Sequence, residues 1–167
     1  VQIAFQSGVA RLAVSFDEQF PDVTLAFCGD QEAQWLRLPQ GVVLLLEAVS
    51  ECTLRLGYAE QCPVHQDLLL HWLMGLHLVR HPVGAEARLI ALFQLLVIHF
   101  GIRRADGYLL PFSLSHSRLA ELIGTTRSTV TRQINVLRRQ GDLNLDQSQG
   151  LLLAATLIEH QPIPNLH

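Results

Sequence analysis

The chain has 167 residues, 49% of them hydrophobic and only 16% charged, with a net charge of −3. Such a composition buries a core and excludes a disordered chain. Its longest apolar runs, such as Gly41–Leu46 and Leu68–Leu70, fall far short of the ~20 residues of a membrane helix, which excludes a membrane span. The chain opens on Val1 without a basic and apolar leader, so a cytoplasmic protein is expected. Cys28, Cys52 and Cys62 are widely spaced, with no C-x-x-C and no zinc spacing, and read as ordinary thiols of a reducing compartment.

The first 62 residues predict strands. Val1, Ile3 and Phe5 alternate, as do Leu12, Val14 and Phe16, then Val23, Leu25 and Phe27, and later Cys52, Leu54, Leu56 and Tyr58. A period of two puts each set on one half-buried face. Ser7-Gly8, Pro21-Asp22 and Gly29-Asp30 supply the turns. The unbroken run Gly41–Leu46 fits a strand or a short helix.

Near residue 63 the period changes. Pro63 suits the first turn of a helix. From His65 to Val79 nearly every face is apolar, so this helix is buried in its own chain or against a partner. His81-Pro82 ends it. His77 and His81, four apart, form a candidate metal pair, but two ligands without a third read first as polar decoration. A second helix is expected over Gly84–Phe100, with Leu89, Leu92, Phe93, Leu96 and Val97 on one stripe and Gly101 as its end.

Residues 115–140 carry the chemistry. Ser115 can cap a short helix whose buried stripe is Leu119, Leu122 and Ile123. Ala120 is small where a second helix must approach. Gly124 breaks the helix at positive φ, and Thr125 or Thr126 can cap the next. That second helix buries Val130, Ile134 and Leu137, while its other face carries Arg127, Ser128, Thr131, Arg132 and Asn135. Two arginines and three small hydrogen-bonding side chains on one helix suit a DNA major groove, where arginine bonds O6 and N7 of guanine. The hydroxyls, those of Ser115 and Thr126 included, can position on phosphates, and Arg138 and Arg139 at the helix end act on phosphates at most. Charge agrees: residues 1–62 hold eight acids and three arginines, whereas residues 101–139 hold seven arginines and two acids, a local basic patch. Leu143–Leu145 and Leu151–Leu153 then flank a turn and read as a hairpin wing.

The stretch Leu114–Leu143, LSHSRLAELIGTTRSTVTRQINVLRRQGDL, resembles the winged helix-turn-helix of the Crp/Fnr transcription regulators, and most of all their cyanobacterial nitrogen-control branch. The likeness continues upstream through HPVGAEARLIALFQLLVIHFGIRRADG and, more faintly, to QSGVARLAVSF and FPDVTLAF in the family's β-roll. It implies an α+β fold in four parts. These are a shortened antiparallel β-roll sensor over 1–62, a central dimerisation helix over 63–81, a winged helix-turn-helix over 82–160 and a loose tail over 161–167. It also places the family's base-reading residues on Arg127, Ser128 and Arg132, and the nitrogen branch reads GTA…TAC-type palindromes in double-stranded DNA. One helix-turn-helix reads only a few base pairs, so a homodimer is expected, with the apolar helix Leu68–Val79 as its interface. The acidic first 62 residues suggest RNA polymerase or a regulatory protein as a further partner.

Departures from the family shape the remaining expectations. The Gly-Glu and Arg-Ser/Thr cassette that holds a cyclic nucleotide is absent between Gly29 and Val49, so no cyclic nucleotide and no other cofactor is expected. No cysteine cluster stands ready for iron–sulfur. The central helix is several turns short, and Gln133 sits where the family buries an aliphatic residue. No nucleophile–base pair or phosphate loop suggests an enzyme. The rival from another class is a protein-interaction or small-ligand module that has lost DNA binding.

Overall fold

The computed structural model describes residues 2–15, 19, 21–30, 33–35, 39–57, 67–146 and 150–159. Phe16, Tyr58, Cys62, Pro63, His65, the tip of the wing at 147–149 and the tail from 160 onward, on each of which an expectation fell, lie outside the described residues. The chain divides into two compact units, Val1–Leu73 and Met74–His167. Strands and helices are mixed along the chain, the α+β class expected. Among the described residues no helix is long and apolar enough to cross a membrane.

The first unit holds six strands, β1 (Gln2–Ser7), β2 (Ala10–Ser15), β3 (Val23–Cys28), β4 (Ala33–Trp35), β5 (Val43–Ala48) and β6 (Thr53–Gly57); β1, β2, β3 and β6 fall on the four alternating sets, whereas β4 was not anticipated. They form two three-stranded antiparallel sheets, ordered β4-β1-β6 and β3-β2-β5. The run that fitted a strand or a helix is the strand β5, paired along its whole length with β2. Strand β2 is buried on both faces, Arg11 included at 2% exposure. A buried guanidinium is tolerable only when its donors are satisfied. Here Nε donates to Thr24 Oγ1 at 2.7 Å, and Nη1 meets Glu47 Oε2 at 3.1 Å and the Asp22 carboxylate.

Two strands depart from simple alternation. Val23, Leu25 and Phe27 do not share one buried face. The β2–β3 register runs Leu12↔Ala26 and then Ala13↔Thr24, skipping Leu25. A bulge of one residue moves every later side chain to the other face. Thr24 and Phe27 are therefore buried and Val23 is 47% exposed. On β6, the edge strand of its sheet among the described residues, Leu54 is half-buried opposite Phe5, whereas Leu56 is 62% exposed.

Helix α1 is described over Asp67–Val79. Its face at Trp72, Leu76 and Val79 is buried, and the Trp72 ring packs on Phe27 at a centroid separation of 5.5 Å. The opposite face is bare: Leu70, Leu73 and Met74 are 54%, 41% and 45% exposed, at i, i+3 and i+4. Its own chain thus covers one side of this apolar helix and leaves a second apolar stripe open.

In the second unit α2 (Ala85–Phe100) is the central helix, with Leu89, Leu92, Phe93, Leu96 and Val97 buried as the periodicity predicts. Gly101 ends it for a steric reason: its N–H bonds Val97 O at 2.8 Å, and a Cβ there would lie 2.5 Å from that same oxygen. Two elements were not anticipated. Residues before the motif fold into a hairpin, β7 (Ile102–Arg104) and β8 (Gly107–Leu110). This joins the expected wing, β9 (Leu143–Leu145) and β10 (Leu151–Ala154), in one sheet ordered β7-β8-β10-β9. A short helix, α5 (Ala155–Glu159), follows. It is tied to α2 by the buried Gln94, whose Nε2 donates to Ile158 O at 3.0 Å.

Candidate nucleic-acid interface

The site is built on α3 (His116–Ile123) and α4 (Arg127–Gln140). Ser115 caps α3, its Oγ accepting from Arg118 N at 3.2 Å. Leu119, Ala120, Leu122 and Ile123 are buried. Gly124 closes the helix at φ 67, a left-handed conformation that costs a side chain about 1–2 kcal/mol. The next amide, Thr125 N, turns back to Ala120 O at 2.9 Å, the bond of a Schellman ending. Of the two candidate caps for α4, Thr126 is the one used: its Oγ1 accepts from Thr129 N at 3.2 Å. Val130, Ile134 and Leu137 are buried, so the polar face of α4 must turn outward.

On that outward face the structure gathers Ser128, Thr131, Arg132, Asn135, Arg138 and Arg139 around one open groove of about 670 Å³. All six are among the residues expected from sequence, Arg139 with Arg138 as phosphate contacts at most. Arg127 is exposed on the same helix but does not line the groove. Ser115 and Thr126 also lie outside it, and both hydroxyls serve as helix caps. The Thr126 hydroxyl further meets Ser128 Oγ at 3.0 Å and Thr129 Oγ1 at 2.9 Å. Gln133 is half-buried and lines a different cavity, with Ile90, Thr156 and Leu157 among its neighbours.

Three arginines of this unit have structural tasks, and one of them, Arg103, was counted in the basic patch over 101–139. Arg80 donates from Nε to Leu122 O and from Nη2 to Glu121 O, both at 2.9 Å, and so ends α3; cationic donors at a helix C-terminus satisfy its orphan carbonyls. Arg88 binds Pro82 O at 2.9 Å. Arg103 lies 4.7 Å from the Tyr108 ring centre and pairs with Glu159 at 2.6 Å. Hydrogen bonds from Tyr108 and then Arg103 hold the Glu159 carboxyl below its usual range. On α3 itself Arg118 pairs with Glu121.

One side chain at the junction went unassigned in the sequence. His116 Nδ1 lies 2.8 Å from Thr131 Oγ1, bridging α3 to α4, and the Thr131 hydroxyl in turn donates to Arg127 O at 2.9 Å. Partial burial, then the positive charges of Arg138 and Arg127, push the His116 pKa down. No local sequence signal marks this residue, because its partner is fifteen residues away across the turn. The pair His77 and His81 stands with ring centres 6.2 Å apart; among the described residues no three His, Cys, Asp or Glu gather as a metal site.

Comparison with known proteins agrees with this geometry. Residues 87–154 match the Crp-like helix-turn-helix domain. The chain is 36% identical over 63 residues to the global nitrogen regulator of Nostoc sp., covering 38% of this chain and 28% of that one. It is 32% identical over 97 residues to the global nitrogen regulator of Synechocystis sp., covering 51% and 42%. The chain thus spans less than half the length of these curated relatives. Among solved structures it resembles FixK2 from Bradyrhizobium japonicum, with a TM-score of 0.69 at 16% identity over 98% of this chain and 88% of that one. It also resembles a CRP-family transcriptional regulator of Thermus thermophilus, with a TM-score of 0.63 at 17% identity over 95% and 86%.

Proposed function

We propose, from the match of residues 87–154 to the Crp-like helix-turn-helix domain, that the chain acts as a homodimeric transcription regulator that binds double-stranded DNA through α4. The observation that carries this reading is the groove on α4, where one helix face offers Arg132, Arg138 and Arg139 with Ser128, Thr131 and Asn135 while its other face is locked in the core. An α-helix of this kind fits the major groove. Arg132, mid-helix, reads a guanine. Ser128 is too short to impose an acid's base choice beside it, and Arg127, nearer the helix start, reaches a base or a phosphate. Arg138 and Arg139 hold backbone phosphates, which position the helix without reading sequence. Thr126 and Ser115, as caps, fix the entry of both helices and lie near the phosphates.

A single helix-turn-helix reads only a few base pairs, so affinity comes from two related by a two-fold axis. The bare stripe Leu70, Leu73 and Met74 on α1 is the surface we assign to that pairing. A cytoplasmic location follows from the task. The acidic first 62 residues, eight acids against three arginines, suit contact with a regulatory protein or RNA polymerase rather than with DNA.

The test is duplex binding at two salt concentrations, on a palindrome of the GTA…TAC kind and on random sequence. Log affinity should fall linearly with log salt, as counterion release demands, and the palindrome should bind more tightly. Absence of any salt-dependent duplex binding would leave the interaction-module reading in its place.

A further inference from the structure

We propose that His116 is a phosphate-contacting residue of this interface and that DNA binding is thereby coupled to the uptake of a proton at its Nε2. The inference rests on the reading of α4 as the DNA-binding helix and deepens it by adding a condition under which the site works.

The hydrogen-bond geometry fixes the starting state. Thr131 has a single hydroxyl proton, and it is donated to Arg127 O at 2.9 Å. The 2.8 Å contact between Thr131 Oγ1 and His116 Nδ1 therefore requires the proton to sit on Nδ1. With Nδ1–H pointed at α4, a neutral ring carries its lone pair on Nε2, at the other end of the imidazole. Among the described residues Nε2 has no partner. The ring is half-exposed, and Thr131, to which it is pinned, lines the groove with Arg132 and Arg138. In a helix-turn-helix the first helix crosses the nucleic-acid backbone while the second enters the groove. The half-exposed ring at the start of α3 thus stands where a phosphate passes.

In that position the neutral ring is the wrong partner, since its free lone pair faces an anion. Protonation at Nε2 takes a proton from solvent and turns the lone pair into an N–H donor, making a charge-assisted bond to a phosphate oxygen. In free protein this is opposed. Burial and the cations Arg138 and Arg127, the charged groups that face the ring from α4, favour the neutral form. On its own helix Arg118 and Glu121 pair with each other, and the loop before it, residues 111–115, has no ionisable side chain. A phosphate brought between these cations reverses the local field and favours the charged form. The bound state then holds more protons than the free state, so affinity rises as pH falls between the two pKa values.

The experiment uses the whole chain and a random-sequence duplex, because a phosphate contact carries no base preference. Affinity is measured at about pH 8 and about pH 6, and calorimetry in two buffers of different ionisation enthalpy counts the protons taken up. Wild-type protein should bind about three- to tenfold more tightly at the lower pH, with net proton uptake. His116→Asn places an amide N–H near the position of Nδ1 and so keeps the bond to Thr131; it should lose both the gain at the lower pH and the proton uptake. His116→Arg should bind tightly at both pH values. Wild-type binding without proton uptake, or the same uptake in His116→Asn, overturns the inference and leaves α4 as the DNA-binding helix. Failure to bind duplex at any pH overturns both.

Discussion

Arg132 and Arg138 line the same groove of α4 but stand at different depths along the helix, and they should answer differently to substitution. Arg132→Ala is expected to cost about 1–3 kcal/mol on the palindrome and to remove most of the preference over random DNA. Arg138→Ala and Arg139→Ala should weaken both DNAs alike and flatten the salt dependence, since each removes a phosphate contact. Titrations of all three variants on both duplexes decide the matter; equal losses for Arg132→Ala on the two would mean that it does not read sequence. Most of this residue-level picture was legible in the chain. The spacing of Val130, Ile134 and Leu137 alone fixes which side of α4 faces out. His116 and Arg80 were not legible, because their meaning lies in partners on other elements, Thr131 and the end of α3. Neither spacing nor composition records such contacts.

At the scale of elements, the two helices of the site depend on their caps more than on helix propensity. Thr126→Ala removes the acceptor of the Thr129 N–H and should lower stability by about 1 kcal/mol, whereas Thr126→Ser should nearly restore it. Thermal or urea unfolding of both variants checks this, and an unchanged midpoint in the alanine variant would show that the cap is not used. The elements with strong period or cap signals, α2, α3, α4 and the β9–β10 wing, were all readable. The β7–β8 hairpin was missed: its two-residue turn is Ala105-Asp106, and Gly107 is already the first residue of β8, paired with Arg104, so no Asp-Gly loop marks it. Strands of three or four residues are too short to show a period. The bulge at Leu25 was invisible for a related reason: alternation assumes an unbroken register, and only pairing with β2 reveals the skipped residue.

For the whole molecule the decisive surface is α1. Its sequence is apolar nearly all round, so the pattern alone could not divide the face that packs on its own chain from the face left for a partner. The structure divides them, with Trp72, Leu76 and Val79 inside and Leu70, Leu73 and Met74 outside. Placing charges on the outer stripe, as in Leu73→Glu with Met74→Glu, should leave the fold intact and shift the protein to monomer in sedimentation. It should also cost far more affinity on a palindrome than on a single half-site. A double variant that sediments like wild type would remove α1 from the interface.

Trp72 gives this arrangement a built-in optical reporter. The chain has only two tryptophans, and this one is fully buried against Phe27 on the inner face of α1. In a Trp35→Phe background its emission should be blue and shielded from acrylamide. If α1 loosens from the β-sheets when DNA is added, the light should redden and become quenchable. If it stays fixed, the spectrum should not move. A fluorimeter can thus follow the first unit while α4, in the second, engages its target.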